Sequence, residues 1–192
     1  RPNMVFSYYH RLDARRQRLY KLSDTILDLP LARPEVLRGR VLALETSLSS
    51  GQRAAVARDA QALTDALCKE FRVPSVRVEV LERRPAREGS ELHGLYEYSP
   101  PGRSSARRRI LVWMYTARLG KVVAFRTFLR TLVHEICHHL DVTLLGFPES
   151  LHTEGFYARE SWLVRRLLGE EDAAVPGPSS RSSRPFVRSR ND

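Results

Sequence analysis

Cysteine is nearly missing from this chain. Of its 192 residues only Cys68 and Cys137 are cysteines, too few for a disulfide framework or a four-cysteine zinc ribbon. A reducing, cytoplasmic setting is therefore expected. No apolar run approaches the roughly 18 residues that a membrane-spanning helix needs, so no membrane partner is expected. The opening Arg1-Pro2-Asn3-Met4-Val5-Phe6-Ser7 has no apolar h-region and no small-residue cleavage site, so no secretory leader is expected. Arg1 is not an initiator, and the chain reads as trimmed or as starting near Met4. Lysine is scarce too: only Lys21, Lys69 and Lys121 contribute to 32 basic residues and a net charge of +10. The excess is arginine. It fits either a polyanionic partner such as nucleic acid or a solvated surface from an arginine-rich genome, and it does not bear on fold.

What is present suffices for one core, since 42% of the residues are hydrophobic. Apolar residues recur with a helical period over Ser7–Leu27, and Pro34 suits the first turn of a short helix running to about Leu48. Ser49-Ser50-Gly51 reads as a break, with Ser50 capping a helix to Phe71. After Pro74 the period changes to two: Val76, Val78 and Val80 alternate with Arg77 and Glu79, as in a half-buried strand. Leu92–Tyr98 is a second strand, and Ile110–Tyr115 is apolar enough to be central. Helical patterns return over Val123–Leu145, closed by Gly146-Phe147-Pro148, and over Thr153–Leu168. The predicted class is α+β, with N-terminal helices, a small sheet of three strands or slightly more, and two final helices. The expected organisation is a helical segment over 1–50, one domain over 51–169, and a disordered basic tail over 170–192, rich in Pro, Ser and Arg.

The chemistry is concentrated in His134-Glu135-Ile136-Cys137-His138. Histidines four apart stand one turn above another on a helix, so two imidazoles can converge on one ion. Glu135 is rotated about 100° from His134, where it can flank a metal-bound water without being a ligand. By chance, such a motif in a chain this long is expected at order 1%, which favours metal binding over two unrelated surface histidines. A catalytic zinc takes three protein ligands and keeps a fourth position open. Asp141, Glu149, His152, Glu154 and Glu160 can each supply the third. His152 is preferred, because it follows a short turn that folds the chain back and because histidine is the commonest metal ligand. Asp141 can equally orient an imidazole from behind. His139 points away from the pair, His93 lies on a strand near the cleft, and Tyr157, Tyr96 or Tyr98 can donate to a developing oxyanion.

The segment from His134 to His138, a gap of 13 residues, and then His152-Thr153-Glu154-Gly155-Phe156 resembles the SprT-like (Spartan-type) zinc metalloproteases. The resemblance covers about residues 53–168 and implies a minimal zincin-like domain. It also implies Zn²⁺ held by His134, His138 and His152, Glu135 as general base, and a peptide or protein substrate, including proteins bound to DNA. The chain departs from that pattern in having Thr153 after His152 and in lacking the cysteine ribbon of many relatives. A rival expectation is a nucleic-acid-binding or regulatory protein with a structural or inactive zinc site. Its contacts would be Arg103, Arg107, Arg108 and Arg109 and the tail residues Arg181, Arg184, Arg188 and Arg190.

Overall fold

The computed structural model describes residues 6–83, 86–87, 90–91, 94–98, 108–116 and 120–170. A 3₁₀ turn over Ser7–Arg11 leads into α1 (Ala14–Asp24), and a second over Pro34–Leu37 into α2 (Arg38–Ser50) and α3 (Arg53–Phe71). Then come β1 (Arg77–Arg83), the short β2 (Ala86–Arg87) and β3 (Ser90–Glu91), β4 (Gly94–Tyr98) and β5 (Arg108–Tyr115). Two helices, α4 (Phe125–Thr143) and α5 (Glu154–Leu168), complete the described chain. Among the described residues this is an α+β fold of five α-helices and a mixed three-stranded sheet in the order β1-β5-β4.

β5 is central because Ile110, Leu111, Val112, Trp113 and Met114 are all buried, the pattern of a strand covered on both faces. It pairs in parallel with β1, Val80 opposite Val112, and antiparallel with β4, Tyr96 opposite Ile110. The short β2 and β3 form a separate antiparallel pair. β4 is left as an edge strand, and α4 packs against β4 and β5 while α3 packs against β1. α2 joins the same core through Val41, Leu44 and Leu48. Burying these three contributes about 1.5–3 kcal/mol each. That outweighs the poor helix preference of Gly39 and the serines, at most about 1 kcal/mol each.

Three of the boundaries that differ from the sequence reading do so for a local reason. The helix expected over Ser7–Leu27 is interrupted at Leu12 and Asp13, both extended, because the Asp13 carboxylate accepts from Arg16 N–H and starts α1 afresh. Ser50 is the last residue of α2 and not the cap of α3. Its hydroxyl and that of Ser49 donate back to the Ser47 and Glu45 carbonyls, and Gly51 alone makes the break at φ 68°. α4 starts at Phe125 because Val122 bridges to Tyr115 and Val123 N–H donates to the Met114 carbonyl, extending the chain there. Leu92, His93 and residues 171–192 lie outside the described residues, as do Arg103 and Arg107. No helix among the described residues is long and apolar enough to cross a membrane.

Candidate metal centre

α4 buries Phe128, Leu129, Leu132, Val133, Ile136 and Leu140 against the sheet and neighbouring helices, which leaves His134 and His138 half-buried on another face. Gly146, at φ 69°, then turns the chain, and Phe147 is held down by its N–H donating to the Asp141 carbonyl. The chain returns along α4 and delivers His152 just before α5. His152 Nε2 lies 3.0 Å from His134 Nε2 and 3.1 Å from His138 Nε2. These three histidines form a cluster that could hold a metal ion. Three nitrogens arranged tetrahedrally at about 2.05 Å from an ion would lie about 3.3 Å apart.

The other ring nitrogens say which way the lone pairs point. His134 Nδ1 is 2.9 Å from the buried Glu160 carboxylate, which also accepts from Arg130 at 2.8 Å. His138 Nδ1 is 2.7 Å from Ser150 Oγ, whose proton goes to Asp141 Oδ2 at 2.7 Å. Both Nδ1 atoms therefore face acceptors and carry protons, and both Nε2 lone pairs converge on His152. A proton on His152 or a cation between them would satisfy these lone pairs. Burial, reinforced by its histidine neighbours, pulls His138 down to about 3, and burial lowers His152 as well. The neutral imidazole, the form that ligates a metal, is thus favoured.

The alternative third ligands have other duties. Glu160 and Asp141 stand behind the histidines as just described, Glu149 pairs with Arg16 at 2.9 Å, and Glu154 is exposed in the first turn of α5. Glu135 is 5% exposed beside the cluster. Burial raises its carboxyl to about 7, against the opposing effects of His134 and the Tyr96 backbone N–H. It fits only because residue 94 is glycine: a Cβ there would lie 2.5 Å from Glu135 Oε1 and 2.9 Å from Thr131 Cγ2. A glycine inside a strand is the sequence signal for such close approach. Ser150 and Arg159 carried no comparable signal.

The cluster opens onto a cleft of about 860 Å³, between β4 and α4, lined also by Tyr157. Tyr157 is the most exposed of the three expected phenols. Its ring lies 5.9 Å from that of His152 and 6.2 Å from that of His134. Tyr96 donates instead to His139 Nδ1 at 3.2 Å, and the fully buried His139 holds the Pro74 carbonyl through Nε2 at 2.8 Å. The Tyr98 ring lies under the Arg108 guanidinium, and Arg109 is paired with Glu97 and Glu79. The remaining members of the arginine run and tail, and His93, fall outside the described residues.

Two phenols near the site give a pH prediction. Burial raises both Tyr8, whose hydroxyl donates to the His152 carbonyl, and Tyr96 to about 12. Buried Cys68 rises to about 11 in the same sense. Each group is neutral when folded, so its stabilising effect is complete below the unfolded value and is lost as pH climbs to the folded one. Stability is expected to fall between about pH 9 and 12, with Tyr8 and Tyr96 ionising later than free phenols by ultraviolet titration. Simple titration of all phenols near 10 in the folded protein would contradict this. Comparison of the chain with family models, curated proteins and solved structures gives no match.

Proposed function

We propose that this chain is a zinc-dependent peptidase whose ligands are His134, His138 and His152 and whose general base is Glu135. The observation that carries the reading is the convergence of three Nε2 atoms, two with their Nδ1 protons engaged, beside a buried carboxyl at the wall of an open cleft. The donor set of three imidazoles with an open side suits zinc. When bound, zinc supplies Lewis acidity, activating water near neutral pH and polarising a carbonyl. Glu135, raised toward 7 by burial, is suited to take a proton from the attacking water and pass it to the leaving amine. Tyr157 at the cleft can donate to the oxyanion that develops on the substrate.

The outer edge of β4 borders the cleft, so an extended peptide can add there as a further strand, with main-chain hydrogen bonds setting its register. Proteins bound to DNA are the substrates suggested by the resemblance to the SprT-like proteases. The reading is tested by metal content and peptide cleavage together. Wild type is expected to hold about one zinc per chain and to cleave unstructured protein substrates. His152→Ala is expected to bind zinc at least about tenfold more weakly. A wild-type protein that takes up no zinc after metal-free handling and add-back would sink the proposal.

A further inference from the structure

Arg159 is wholly buried, which is costly for a guanidinium unless its donors are met; NH1 and NH2 are met and Nε is left without a partner. NH2 pairs with Asp141 Oδ1 at 2.9 Å and with Ser23 Oγ at 3.0 Å, while NH1 donates to the Ser23 and Ile26 carbonyls at 2.9 and 2.7 Å. Two routes lead from this cation to the histidines. On one side Asp141 accepts from Ser150, which accepts from His138 Nδ1. On the other, Ser23 Oγ lies 2.8 Å from Thr153 Oγ1, and Thr153 caps α5 directly after His152.

From this geometry we propose that Ser150 and Asp141 are positioning residues that fix the His138 tautomer, and that Arg159 couples them through Ser23 to the turn carrying His152. The inference rests on the metal-centre reading above. Its chemistry is specific. Ser150 has one proton, and Asp141, locked to Arg159, is the acceptor that claims it. The Ser150 oxygen is then left facing His138 as an acceptor only, so His138 must place its proton on Nδ1 and its lone pair on Nε2. An apolar residue at 150 leaves both tautomers open and buries a carboxylate oxygen without its partner.

The test compares wild type, Ser150→Ala, Ser150→Thr and Ser23→Ala by zinc affinity, from competition with a chromophoric chelator, and by imidazole ¹⁵N spectra of the metal-free chains. Ser150→Ala is expected to lose about 10–100-fold in zinc affinity and to lose the single Nδ1–H form of His138. Ser150→Thr, which keeps the hydroxyl, should restore both. Ser23→Ala should weaken zinc several-fold while leaving the His138 tautomer in place. Unchanged affinity and tautomer in Ser150→Ala would overturn the positioning role, and unchanged affinity in Ser23→Ala would overturn the link to α1. Absence of zinc binding in wild type would overturn the metal reading alone, since the metal-free spectra still decide whether Ser150 sets the tautomer. Absence of peptidase activity alone would touch neither measurement.

Discussion

Replacing Glu135 by glutamine is expected to abolish most peptide cleavage, about 10²–10⁴-fold in kcat, while zinc content stays at the wild-type level. Glutamine has nearly the same shape, so it still fits beneath Gly94 and can still accept from the Tyr96 N–H. What it cannot do is take a proton from water. The loss corresponds to about 3–5 kcal/mol of transition-state stabilisation and should fall on kcat with little change in KM, since the proposed role of Glu135 is that of a base and not a ligand. Full activity in a zinc-loaded Glu135→Gln chain would remove Glu135 from the mechanism. Loss of zinc along with activity would make it a ligand instead.

Among the described glycines, Gly155→Ala should be the most damaging methyl addition. A Cβ at 155 would stand 2.1 Å from the Ser23 carbonyl oxygen and 2.7 Å from Asp24 Cα, both backbone atoms that cannot rotate aside. α1 and α5 must separate, and with them go the hydrogen bond from Gly155 N–H to Asp24 and the clasp of Arg159 on Ser23. Overpacking of about 1–3 kcal/mol and weakening of a charged buried hydrogen bond, about 1.5–3 kcal/mol, together predict a loss of about 3–5 kcal/mol. In a domain of this size the melting temperature should drop by roughly 10 °C, measurable by calorimetry of the metal-free protein. Gly39→Ala is the control, since nothing lies within 4 Å of its added carbon. Equal melting temperatures for the two variants would refute the close-packing argument.

The α4 period, the apolar run of β5 and the four-residue spacing of His134 and His138 are local patterns, and local patterns survive without a structure. His152 was reachable because a short turn leaves few places for the chain to go. The mistaken cap at Ser50 had a local origin: a serine before glycine resembles a helix start, but its hydroxyl satisfied a carbonyl of the helix already formed. The layer behind the histidines is only partly legible: Asp141 reads equally as a ligand or as a support for an imidazole, and Glu160 only as a ligand. Asp141 and Glu160 have the same composition-level appearance as any third ligand. Only packing between α4, α5 and α1 assigns them to the backs of the imidazoles. Gly94 lay in between, as a strand glycine whose cause, the Glu135 side chain, sits 41 positions later.

The clasp of Arg159 on the end of α1 spans 136 residues to Ser23 and 133 to Ile26. Closing a loop of that length in an unfolded chain costs about 4 kcal/mol in chain entropy, and the packing of α5 on α4 and α2 shortens the part left to close. A chain made only as far as the end of α4 at Thr143 holds two of the three imidazoles, and His152 lies beyond it. The three-histidine cluster is therefore expected to be complete only once α5 has docked on α4 and α1. A polypeptide that stops short of His152 carries the motif but not the full cluster.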